Sequence, residues 1–441
     1  MHIMKFYENL KSILLTTIDE LASDPTLYAR NPGKDFTRNR KLSFKQFIQM
    51  MLTLEGECLK EELYLFFGRN EDAPSKAAFY KQRQKLHKDA LANLLFAFNK
   101  KLKRRLYKGK YQLIACDGSA LDIYRNPDDP DTFYETNGKS TKGFNQVHVN
   151  ALYSILDERY TDLIVQPGRK NNEYSAFCQM VDNAPKDNNI KSIYICDRGY
   201  ASYNSYAHVI ENGQYFLIRV TDKKTEQLLG KSISDITTLD TSLERILSRS
   251  QSKKRRLYPE RENEYRHISK KVAFDYITDE NPEYIIPLRI IRFELSDGKY
   301  ENLVTNLPVH EFHTEDFKEL YFMRWNEETA FRYLKYSLCL KALHTKKFDY
   351  VIQEVWARAI LFNFSSEITK QVKPKENPKR KHKYEINHTE AFKTCRAFLR
   401  IHDGTTFDVE AVIASNIEPV RPDRKYKREH RYMKPMTFAY R

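Results

Sequence analysis

"YQLIACDGS", residues 111–119, is an apolar run that stops on a charge. It reads as a buried strand ending at Asp117, and "IKSIYICDRGY", residues 190–200, repeats the form and ends at Asp197. In an open α/β sheet, ligand-binding groups lie outside the carboxyl ends of the strands, where both aspartates fall. Gly118 and Gly199 follow within two residues, so backbone can approach a ligand there. A lone aspartate at a strand end is usually a turn former or a helix cap. Two of them on separate buried strands are harder to assign that way. Asp122 competes with Asp117 as the first carboxylate; the run "LIAC" ends on Asp117, which favours it.

The surrounding pattern places these strands in one layer. "QVHVNALYSIL" (146–156) and "YTDLIVQPG" (160–168) read as strands and "NNEYSAFCQMVDNA" (171–184) as a helix. After the Asp197 strand come a helix, "SYNSYAHVIEN", and a strand, "QYFLIRV". Three strands, helix, strand, helix, strand predicts an α/β fold with a mixed sheet. Residues 221–302 interrupt it as a β-rich insertion, with strands in "EYIIPLRIIRFEL" and "YENLVTNL" around a turn at Asp297-Gly298. Residues 1–105 read as helical throughout. There "PSKAAFYKQRQKL" offers Ser75 as an N-cap and Lys76, Lys81 and Arg83 on a basic helix, which suits a DNA-reading helix or ordinary helical packing. The expected segments are 1–105, 106–220, 221–302, 303–370 and a basic region, 371–441.

Composition points to a polyanionic partner. The 441 residues carry 74 Lys and Arg against 59 Asp and Glu, a formal charge of +15. From Ser366 onward there are 18 Lys and Arg against 10 Asp and Glu, concentrated in "KPKENPKRKHK" (373–383) and "RKYKREHR" (424–431). Such a surplus favours nucleic acid before membrane, although a charge run alone is usually a solvated tail. The six cysteines form no CxxC pair, so neither a zinc site nor a disulfide framework is indicated. The first residues make a poor signal peptide, since Glu8 and Lys11 break the apolar run. No uncharged stretch approaches the roughly 20 residues a membrane span needs. A soluble, intracellular protein is expected.

"YFMRWNEETAFRYLK", residues 321–335, supplies the third carboxylate. At ~100° per residue, a continuous helix would put Tyr321, Arg324, Glu328 and Lys335 on one stripe about 60° wide. A solvated stripe of charge pairs is the ordinary explanation. Alongside Asp117 and Asp197, Glu328 suggests more. Three gathered carboxylates repel one another and lose hydration unless cations neutralise them. Oxygen-only ligands suit Mg²⁺ or Mn²⁺. Two such ions, about 3.5–4 Å apart, stabilise the attacking and leaving oxygens of a phosphoryl transfer. Arg324 and Lys335 would hold phosphates beside the scissile bond and Tyr321 would add a hydroxyl. Arg198 is placed to reach phosphate or to make a structural ion pair.

Tyr, two residues, Arg, three residues, Glu, six residues, Lys is the signature of the DDE transposases of the insertion-sequence "IS-four" group, and Tyr321, Arg324, Glu328 and Lys335 match every spacing. Residues 111–365 resemble that family, with Asp117 in "ACDGS" and Asp197 in "ICDRGY" at its two aspartate positions. The resemblance implies a ribonuclease-H-like core, with a β insertion before the helix of Glu328. It implies Mg²⁺- or Mn²⁺-dependent cleavage of double-stranded DNA at terminal inverted repeats, strand transfer into a target, and a homodimer in the synaptic complex. It also implies a bacterial, nucleoid-associated cytoplasmic location. A nuclease of the same fold without strand transfer is the alternative. Relatives that form hairpins hold a flipped base with a tryptophan in the insertion; here the two tryptophans are Trp325 and Trp356, both outside it. Trp325 reads as core or as support for Arg324.

Overall fold

A computed structural model describes residues 5–420 apart from 39, 70, 72, 136–141, 188, 251–263, 297, 376–381, 403, 404 and 406. The basic run 424–431, most of 373–383, much of the charged insertion segment and Asp297 of the expected turn lie outside the described residues.

The helical start comprises α1 (Phe6–Ser23), α2 (Phe44–Thr53), α3 (Leu59–Phe67), α4 (Lys76–Lys85) and α5 (Ala90–Lys100). Ser75 caps α4 by accepting from the Ala78 N–H at 3.2 Å. Then follow β1 (Tyr111–Ile123), β2 (Phe133–Tyr134), β3 (Phe144–Ser154), β4 (Arg159–Pro167), α6 (Glu173–Asn183), β5 (Lys191–Cys196), α7 (Tyr203–Glu211) and β6 (Tyr215–Val220). The 221–302 segment contains α8 (Asp222–Leu229), β7 (Leu239–Ser248), β8 (Tyr265–His267) and β9 (Glu283–Ser296), and runs into β10 (Lys299–Thr305). The chain continues with α9 (Thr314–Phe322), α10 (Trp325–Arg332), α11 (Phe348–Thr369) and α12 (His388–Arg400).

One ten-stranded mixed sheet runs β2-β3-β1-β5-β6-β10-β9-β7-β8, with β4 also paired to β3. β1, β3 and β4 form an antiparallel meander; β5 lies parallel to β1, and β6 parallel to β5. The helices α6 and α7 make the crossovers that parallel neighbours require. This is the ribonuclease-H-like arrangement. Rather than standing apart, the strands of the insertion lengthen the same sheet: β10 pairs with β6, β9 with β10 and β7 with β9, all antiparallel. On one face, α1, α2, α5, α11 and α12 share a continuous apolar core with β1, β3 and β4.

Two local expectations are corrected. β1 does not end at Asp117 but runs to Ile123, because β3 pairs with it from Ile114 through Ile123 while β5 accompanies it only to Cys116. The 321–335 segment is not one helix. The backbone N–H groups of Arg324, Asn326 and Glu327 bond three residues back, at 3.2, 3.2 and 3.1 Å, tightening the chain between α9 and α10. Residues Tyr333–Ser337 then widen into a π-helical turn.

Candidate active site

The register of the sheet brings the two aspartates together. Cys116 on β1 pairs with Cys196 on β5, so Asp117 and Asp197 are the next residues along adjacent parallel strands. Only Asp197 ends its strand; Asp117 lies opposite Ala151 of β3 at the point where its parallel neighbour gives out. That gap opens one side of Asp117 to the cleft.

The helix break aims three of the signature residues into the same cleft. The Tyr321 hydroxyl donates to Asp197 Oδ1 at 3.4 Å, and Arg324 donates to Glu328 Oε1 at 3.1 Å. The Arg324 guanidinium is buried, with Tyr321 and Trp325 rings 5.8 and 5.2 Å from it. Trp325 is half-exposed, so it supports Arg324 and is not core. Burial opposes the charge on Arg324, yet Tyr321, Asp197, Glu328 and Asp117 around it hold its pKa above the ordinary value. Lys335, within the π-helical turn, reaches β1 instead, donating to the Ser119 hydroxyl and, at 2.9 Å, to the Ala120 carbonyl. Burial and Lys341 lower its pKa, against Asp122 and Asp117. Arg198 is exposed at the mouth.

Negative charge is in surplus around Asp117. Burial pushes its carboxyl up to about 6; the Gly118 N–H and Arg324 pull it down, and Glu328 and Glu173 add to the rise. Glu327, next to Glu328 in sequence, is fully buried, with no side-chain partner for either carboxyl oxygen and only the Asp117 backbone N–H near it. Burial, then Asp117, raise its pKa well above the usual range. Among the described residues no three His, Cys, Asp or Glu side chains are grouped closely enough to hold a metal as they stand. The donor set nevertheless fits a hard divalent cation: it is all oxygen, and it contains a carboxyl whose charge the protein leaves undercompensated.

The N-terminal expectations divide. Lys76 and Lys81 are exposed on α4. Arg83 is fully buried and cannot face DNA: it donates to Gln353 at 3.1 Å, to the Tyr350 carbonyl at 2.6 Å and to Glu354 at 2.8 Å. Its position on the inner face of α4 turns it toward α11.

A family model described as Transposase DDE domain matches residues 108–364. The chain belongs to that family. No curated protein sequence matches it. Among solved structures it is similar to a piggyBac transposase synaptic complex with hairpin DNA, at 10% identity and a TM-score of 0.44, over 89% of this chain and 77% of that one. Membership makes the chain a transposase, an enzyme of phosphoryl transfer on DNA, in a family that uses divalent metals. No helix among the described residues is long and apolar enough to cross a membrane.

Sequence reasoning overlooked Glu173 and Glu327. His148 is buried in β3, and its Nε2 lies 2.8 Å from Glu173 Oε1. An acid in the first turn of a helix is so common that Glu173 carried no distinguishing signal. Glu327 is a charge on the buried side of an amphipathic helix, which was a signal that could have been read.

Proposed function

We propose that this transposase cuts its element free at terminal inverted repeats and joins the ends to target DNA, using Asp117, Asp197 and Glu328 as the ligands of two Mg²⁺ or Mn²⁺ ions. The reading rests on one observation: Asp117 and Asp197 are in step on adjacent parallel strands, and Arg324 brings Glu328 to them. When bound, the ions supply a nucleophilic oxygen and neutralise the charge that develops on the phosphate. The chain's own groups do the positioning. Arg324, held by Glu328 and flanked by two rings, presents a rigid cation to a phosphate. Lys335, tied to β1, fixes a second phosphate as a point charge. Tyr321 orients Asp197 and Arg198 meets the backbone at the mouth. We assign Lys76 and Lys81 of the helical segment 1–105 and the basic region 371–441 to binding the element ends, and a homodimer to the synaptic complex.

The test uses a plasmid carrying the inverted repeats that flank the coding region. Asp117→Asn, Asp197→Asn and Glu328→Gln each remove several kcal/mol of transition-state stabilisation, so cleavage falls by about a thousandfold or more while end binding persists. A variant that cleaves normally removes that residue from the site. Cleaved ends that never join a target would leave a nuclease of the same fold.

A further inference from the structure

Glu173 opens α6, the crossover between the strands bearing the two aspartates, and its carboxylate lies over both glycines that follow them. A Cβ placed on Gly118 would sit 2.7 Å from Glu173 Oε1 and 2.4 Å from His148 Nε2; one on Gly199 would sit 3.7 Å from Glu173 Oε2. Gly118 therefore makes room for a side chain of the protein itself, whereas a Cβ on Gly199 would make only ordinary contact. His148 Nε2 lies 2.8 Å from Oε1, and Oε2 is the oxygen on the side of Gly199. Glu173 is only half-buried, so that oxygen is open to the cleft.

We propose that Glu173 is a fourth carboxylate ligand of the divalent-metal centre, with His148 as its positioning residue. An independent feature points to a cation here: Glu327, fully buried beside Asp117, has no side-chain partner for either oxygen, only the Asp117 backbone N–H near it. The protein thus directs more acid at this point than its own cations satisfy.

The inference rests on the assignment of Asp117 as a ligand, and the experiment separates the two. Mn²⁺ binding to the full-length, metal-free protein is followed by the loss of the free-ion electron-spin-resonance signal. Asp117→Asn is expected to lose most of the affinity, Glu173→Gln to weaken it about tenfold or more, and His148→Gln to weaken it less, because it acts through Glu173. Wild-type affinity in Glu173→Gln alongside a loss in Asp117→Asn overturns the inference and leaves the site standing. Wild-type affinity in Asp117→Asn overturns the site itself. The unmodified chain gives a second readout that does not depend on a variant folding. Fe²⁺ with peroxide cuts backbone near a bound metal, and cuts are expected near residue 173 as well as near 117 and 197. Cuts at the last two without the first overturn the inference.

Discussion

Around Glu354, carboxylates and cations meet out of water and match; around Asp117, carboxylates meet and do not. In the first region Arg83 lies 2.8 Å from Glu354, and His344 lies 3.3 Å from Glu354 and 3.7 Å from Glu62. Burial would raise the Glu354 carboxyl, but Arg83 and His344 hold it down at about 2. In the second region burial wins, and Asp117 sits at about 6 in spite of Arg324. The first cluster is built on α3, α4 and α11, the second on β1, β5 and the helices α6 and α10 beside them. The difference is that one is neutralised by the chain and the other is not. Buried charge by itself therefore marks no active site; the informative quantity is how much of it stays uncompensated.

The largest effect expected from this contrast is on stability. Arg83→Met leaves Glu354 buried with half its compensation, so unfolding in denaturant should show a loss of about 3–5 kcal/mol. Unchanged stability with lost DNA binding would instead restore Arg83 to the DNA face. The cleft should respond with the opposite sign. Asp117 binds its proton more tightly folded than unfolded, so folding stability falls as pH rises from its ordinary pKa of 3.8 to about 6, and the deficit persists above that. At pH 7.5 without metal, Asp117→Asn should therefore be more stable than wild type by up to about 3 kcal/mol. Adding Mg²⁺ should raise the melting temperature of the wild type and leave the variant's nearly unchanged. A variant less stable than wild type in EDTA would show that the cleft is compensated after all.

The strand order and both aspartates were legible in the sequence because buried strands announce themselves as short apolar runs, and "LIAC" and "IYIC" are such runs. The end of β1 was not legible. Whether a strand continues past a glycine depends on its partner, and β3 lies some thirty residues away in the chain. The stripe of Tyr321, Arg324, Glu328 and Lys335 was found by assuming a regular helix. The tight turn at Met323–Arg324 and the π-helical turn at Tyr333–Ser337 redistribute those side chains, so that Lys335 meets Ser119 rather than Glu328. Arg83 misled because a short helix rich in Lys and Arg shows no clear apolar face. The likely-looking cation was the one turned inward. Glu173 escaped because its meaning lies in Gly118, a glycine of a distant strand.

A pH profile sharpens the comparison further, with the smallest effect. His344 is buried, which lowers its pKa, but Glu354 and Glu62 more than reverse this and raise it to about 9. Its folded pKa thus exceeds the ordinary 6.5, and the charged form favours the fold. That contribution is complete below pH 6.5 and is lost as pH rises through about 9. The cleft's slope is already finished at about pH 6, so the two windows do not overlap. Between pH 6.5 and 9 the network should contribute a decline of at most about 3 kcal/mol to thermal stability in EDTA, on top of that from His208, whose pKa Cys178, Asp182 and Asp275 raise to about 10. His344→Gln should flatten this decline and leave the acid-side slope of Asp117 intact, whereas Asp117→Asn should do the reverse. If either substitution altered both slopes, the two clusters would be one electrostatic unit, and the distinction between matched and unmatched charge would fail.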